Sequence, residues 1–125
     1  MQFLLLVYTD DSLLEPIPQP EYNTMMRGCL ERADELQREG RVLDFKQLEP
    51  AKTAKSVRIR DGRTRIVDGP FAETKEVLAG FNLIEADDFD EAVRMAEELP
   101  WARTGCIEVR PLRDIASVRK SVGLA

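Results

Sequence analysis

The run Phe3-Leu4-Leu5-Leu6-Val7 constrains this chain more than any other feature. It is apolar without alternation. Successive side chains of a strand point to opposite faces, so a strand over residues 2–8 asks for cover on both sides. A bilayer is not the source of that cover: the run is far too short to span one, and it lacks the basic flank and cleavage pattern of a secretory leader. A cytoplasmic setting and no membrane partner are therefore expected. With 125 residues, the chain fits one domain, 1–125, that buries roughly two-thirds of its unfolded surface. Helices supply one dry face of the first strand, and a twin subunit is the simplest source of the other, which makes the chain a homodimer.

After Thr9-Asp10-Asp11-Ser12 ends the strand, Pro16, Pro18 and Pro20 make residues 13–20 a stiff connection. Residues 21–39 take helical spacing, with Tyr22, Met25, Met26, Cys29, Leu30, Ala33 and Leu36 on one side and Gly40 as a left-handed stop. Gly28 inside this helix raises the question of a close approach to the sheet. Residues 42–48 read as a strand with Leu43 and Phe45 on one face. Residues 57–60 and 63–67 flank Asp61-Gly62, a type I′ hairpin signal. Residues 79–86 form the next strand, with Phe81 and Leu83 on one side and Asn82 and Ile84 on the other. A helix then opens at Asp88, whose side chain caps it with Glu91 three residues on, and Ala92, Val93, Ala96 and Leu99 form its inner stripe. Residues 106–110 are the last strand, and 112–125 a tail with partial helical character. With the hairpin set aside the order is βαββαβ. Two right-handed crossovers give one antiparallel sheet with both helices on one face.

Composition removes several chemistries. The chain has no histidine, which excludes Ser-His-Asp and Cys-His nucleophile activation, HExxH zinc sites and histidine switches. Cys29 and Cys106 lack metal-ligand spacing and read as free, mostly buried thiols. No metal and no cofactor are expected. Net charge is −5, which argues against nucleic acid as the main partner. Charge is nonetheless uneven: in residues 51–65 six cations oppose Asp61 alone, so this segment carries +5 and the remainder −10. The hairpin arginines read as a solvated, charge-protected ribbon, or as a basic arm meeting an anionic ligand or a partner.

The turn at 66–76, Ile-Val-Asp-Gly-Pro-Phe-Ala-Glu-Thr-Lys-Glu, organises the centre of the sequence. Together with Val57-Arg58-Ile59-Arg60-Asp61-Gly62, with Gly80-Phe81-Asn82-Leu83-Ile84-Glu85-Ala86 and with Ile107-Glu108-Val109-Arg110-Pro111, it closely resembles the DGPF-domain proteins of the YCII-related family. The resemblance runs from Phe3 to about Leu112. It implies an α+β, ferredoxin-like βαββαβ fold with an inserted β-hairpin, assembled as a dimeric α/β barrel, and no settled activity. The histidine–aspartate pair behind suspicions of enzyme function in YCII-related proteins has no counterpart here. Such proteins are often encoded beside extracytoplasmic-function sigma factors, which implies a regulatory or stress setting and a regulatory partner linked to those factors.

Two functional readings follow. In the first, loop 68–76 faces a ligand or partner of a non-catalytic accessory or regulatory protein. In the second, the chain is a small-molecule enzyme with Asp68 as its carboxylate acid–base group, at the mouth of a pocket walled by Phe71, with Gly69, Glu73, Thr74 and Lys75 nearby. Asp68 also has a structural reading: an aspartate before Gly-Pro bonds its own turn, Gly69 takes positive φ and Pro70 fixes the exit. Tyr8 is the next candidate, its hydroxyl reaching a cleft between sheet and helix while its ring joins the core. Cys106, without a basic neighbour in sequence, reads as structural.

Overall fold

In the computed structural model the described residues are 1–72 and 74–124. They form a mixed α+β structure, with strand β1 (Gln2–Asp10), helices α1 (Asp11–Leu14) and α2 (Gln19–Arg38), β2 (Val42–Gln47), β3 (Lys55–Arg60), β4 (Arg63–Asp68), β5 (Glu76–Glu85), α3 (Phe89–Glu97), β6 (Gly105–Pro111) and α4 (Ile115–Ser121). The main sheet has the order β2-β5-β1-β6, all neighbours antiparallel, and β3 with β4 is a separate two-stranded sheet. This layout is compatible with a ferredoxin-like arrangement carrying an inserted hairpin.

The core lies on one face of the sheet. Phe3 (0% exposed) and Leu5 (1%) of β1 pack with Val42, Ile84, Leu36 of α2, and Ala92, Met95 and Ala96 of α3. Both long helices therefore cover the face to which the odd residues of β1 point. On the even side Leu4 and Leu6 are half-buried. Within one chain, then, the first strand is dry on one face only.

Several elements differ from the sequence reading for identifiable reasons. Helix α2 starts at Gln19 rather than 21, because Pro20 is tolerated in the first turn, where its missing N–H has no intrahelical partner. A short helix, α1, occupies part of the expected stiff connection. Asp10 caps it, Oδ1 accepting from the Ser12 amide at 2.9 Å and from Ser12 Oγ at 2.6 Å. In β2 the register shifts between Val42 and Asp44, so Val42 and Phe45, not Leu43 and Phe45, face the core. In α3 the inner stripe is Ala92, Met95 and Ala96, and Val93 is exposed. Around the helix Met95 lies about 60° from the fully buried Ala92, whereas Val93 lies about 100° from it on the opposite side. Asp88 does cap α3, accepting from the Glu91 amide at 2.8 Å, while the Glu91 carboxylate faces Arg41 at 3.8 Å. The tail forms α4, capped by Asp114.

Gly28 has open space where a Cβ would stand, so no close approach explains it. The tight positions are elsewhere. A Cβ on Gly80 would lie 2.7 Å from the Lys46 carbonyl oxygen, and one on Gly105 would collide with the carbonyl of Tyr8. Gly105 thus lets β6 close against β1 beside Tyr8 and Cys106.

Candidate functional site

Register fixes what the outer face of the sheet presents. Leu6 of β1 stands opposite Phe81 of β5 and Glu108 of β6, and Tyr8 stands opposite Leu78 and Cys106. The even residues of β1 face away from the helices, so Tyr8 points to this outer face. The cleft it meets is not the expected one between sheet and helix. It is a groove of about 920 Å³ between the sheet's outer face, the base of the β3–β4 ribbon and the loop 70–76. Tyr8, Leu78, Cys106 and Glu108 form its floor. Ala54, Ser56, Pro70, Phe71 and Thr74 stand around it.

The loop is tied at both ends. Asp61 (φ 53°) and Gly62 (φ 72°) close the ribbon in the conformation a type I′ turn needs. At the ribbon's base the Gly69 amide donates to the Ala54 carbonyl at 2.7 Å, and Ser56 Oγ donates to the Gly69 carbonyl at 2.8 Å. Gly69 itself sits at φ 99°, a conformation that favours glycine. Arg58 donates to the Phe71 carbonyl at 3.0 Å, and Thr74 Oγ1 to the Glu76 carbonyl at 2.5 Å. Farther on, Lys75 Nζ lies 3.7 Å from the buried Asp10 carboxylate, which pins the loop's exit to the end of β1. The Ser12 hydroxyl, with help from Lys75, holds that carboxyl below the usual carboxylate range.

Tyr8 hydroxyl donates to Glu108 Oε1 at 3.3 Å, and Glu108 Oε2 lies 3.8 Å from Arg110 Nε. Burial, and then the neighbouring Glu108 charge, push the Tyr8 phenol above its ordinary value. A phenol in that state stays protonated and offers a hydrogen-bond donor rather than a base. Among the described residues no group of three or more His, Cys, Asp or Glu side chains is placed to hold a metal ion.

The candidates named from sequence separate into two places. Tyr8, Phe71 and Thr74 meet at the groove, where Phe71 is 79% exposed. Asp68, Gly69 and Lys75 are not part of its lining. The Asp68 side chain is 84% exposed, and its carboxylate is bound to Lys55 Nζ at 2.7 Å, directly across the ribbon. It ends a strand rather than bonding its own turn. Glu73 lies outside the described residues. Glu108 and Cys106 are among the groove residues that sequence reasoning missed. Cys106 is exposed on the groove floor rather than buried, and Cys29 is half-buried. Their signal was available in the alternation of β6, which sets Cys106 and Glu108 on the side away from the apolar Ile107 and Val109.

The comparison with known proteins agrees with this architecture. The YCII-related domain model matches residues 1–116. The chain belongs to the YCII-related family. It is also 37% identical over 114 residues to an uncharacterized protein of Rhizobium meliloti (strain 1021), an alignment covering 90% of this chain and 92% of that protein. This YCII-related chain and its relative therefore share nearly their full lengths, and the function of neither follows from the match.

Proposed function

We propose that this YCII-related chain is a homodimeric, non-catalytic accessory or regulatory protein that binds a small, largely apolar molecule in the groove under loop 68–76. The observation that carries this reading is the division of the polar groups. The groove's lining is largely apolar, with the hydrogen-bonded pair Tyr8 and Glu108 on its floor and Glu49, Lys55, Ser56, Thr74 and Glu76 among the residues that border it. The carboxylate best suited by sequence to acid–base work, Asp68, stands outside it, neutralised by Lys55. A largely apolar concavity with a few convergent polar groups is the usual form of a small-molecule site. Acid–base catalysis by Asp68 draws less support, because a general base needs reach to a bound substrate's proton. Free thiols at Cys29 and Cys106 suit a reducing, cytoplasmic setting. Among the described residues no helix is long and apolar enough to cross a membrane. The half-exposed outer face of the sheet supports the homodimer.

The test is a thermal-shift screen of small amphipathic metabolites, with hits re-measured by calorimetry on Tyr8→Phe and Asp68→Asn. Loss of one hydrogen bond should weaken binding by about 3- to 10-fold in Tyr8→Phe, and Asp68→Asn should bind as wild type does. Conversion of a hit to a new product by wild type, abolished in Asp68→Asn, would replace this reading with the enzymatic one.

A further inference from the structure

The β3–β4 ribbon leaves the body of the fold as a sheet of its own, and every residue from 57 to 68 is exposed. A two-stranded ribbon is marginal in water by itself, and this one carries two unmet demands. One face sets Val57 opposite Ile66, with Ile59 opposite Thr64; the three apolar side chains are 64%, 63% and 61% exposed. The other face sets Arg58 opposite Arg65 and Arg60 opposite Arg63, like charges directly across a strand pair. Among the described residues none of these four arginines has a carboxylate partner within salt-bridge distance. Arg58 and Arg60 donate to the backbone carbonyls of Phe71 and Ile59 instead.

We propose that this ribbon is an arm that covers a second copy of the chain, its Val57–Ile59–Ile66 face laid on that copy's outer sheet face and its arginines at the rim against that copy's acidic body. The inference rests on the homodimer proposed above and names the segment that makes the contact. Three observations select this occupant. The surface to be covered exists on the same molecule: Leu4, Leu6, Phe81 and Leu83 are half-buried on the sheet's outer side. The charges complement each other, since residues 51–65 carry +5 and the rest of the chain −10. The dimensions agree: six-residue strands reach about 20 Å, and the outer strands of a four-stranded sheet stand about 14 Å apart. An apolar centre with a charged rim is also the usual anatomy of a protein interface. A nucleic acid would satisfy the arginines and leave the apolar face wet, whereas a second copy satisfies both. By two-fold symmetry each copy gives an arm and receives one.

Sedimentation velocity on the full chain tests this. Wild type should dimerise, with a Kd that rises between low and high NaCl. Ile59→Thr/Ile66→Thr keeps β-branched residues in the strands and removes apolar contact, and should raise the Kd by roughly 100-fold. Arg63→Gln/Arg65→Gln should flatten the salt dependence. No ribbon residue belongs to the core cluster, so far-UV circular dichroism of both variants should match wild type. An unchanged Kd in both variants overturns the arm and leaves the dimer standing. A wild-type monomer at all concentrations removes both. Loss of binding to a labelled single-stranded oligonucleotide in the arginine variant, with dimerisation intact, would make the ribbon a nucleic-acid contact and overturn the proposal.

Discussion

Tyr8 is held protonated by its surroundings. Burial is the larger cause and the Glu108 carboxylate the next. The folded chain therefore keeps this proton more tightly than the unfolded chain, so stability is unaffected below the ordinary tyrosine value near pH ~10 and declines as pH rises through the higher folded value. The chain has two tyrosines. In an ultraviolet phenolate titration, Tyr8→Phe should remove a step above the ordinary range. Glu108→Gln should move that step part of the way down, because the burial contribution persists. A step unmoved in Glu108→Gln would separate the two side chains in solution. Sequence spoke unevenly at this scale. Tyr8, Phe71 and Thr74 could be named as candidates because turn chemistry and a strand end are local properties. Alternation in β6 puts Glu108 and Cys106 on one side, but they reach Tyr8 only through the β1–β6 register, which joins residues about a hundred positions apart. Asp-Gly-Pro is a strong local turn signal, whereas the cross-strand lysine that holds the Asp68 carboxylate is not announced by local sequence.

Among the elements, the junction of β1, α1 and the loop 70–76 converges on Asp10. Its carboxylate caps α1 through Ser12 and faces Lys75 from the loop. Because its pKa lies below the usual range, with the Ser12 hydroxyl the larger cause, its contribution is present above the ordinary aspartate value and is lost as pH falls through the lower folded one. Wild-type melting temperature should therefore drop below about pH 4, and Asp10→Asn should start lower at neutral pH and show a shallower acid decline. Parallel acid limbs in differential scanning fluorimetry would mean that Asp10 is not the group being titrated. Element identities were largely legible here, because α2, β5 and α3 carry strong periodicity and a capping aspartate. What escaped was the bulge at Val42–Asp44 and the start of α2 at Gln19. A one-residue register slip leaves composition unchanged, and a proline in a first helical turn has the same spelling as one in a loop.

For the whole molecule, the two faces of β1 call for different treatment. Phe3 and Leu5 are covered by the chain's own helices, whereas Leu4, Leu6 and Tyr8 look outward over a surface shared with Cys106. The unbroken apolar run announced that both sides want cover, but one sequence cannot say whether a chain covers itself. Cys106 reports on that question because it is exposed in the single chain. If twin copies shield the outer face, alkylation of Cys106 should slow as protein concentration rises through the dimer Kd, and it should recover in Ile59→Thr/Ile66→Thr. Cys29 would blur the reading little, since it is half-buried and burial pushes its thiol up, which keeps it short of the reactive thiolate. A Cys29→Ser background removes it altogether. The rate should fall several-fold between dilute and concentrated samples if the face closes. A rate independent of concentration, in a sample shown by sedimentation to be dimeric, would put the twin on some other surface and leave the Tyr8 groove open to solvent in the assembly.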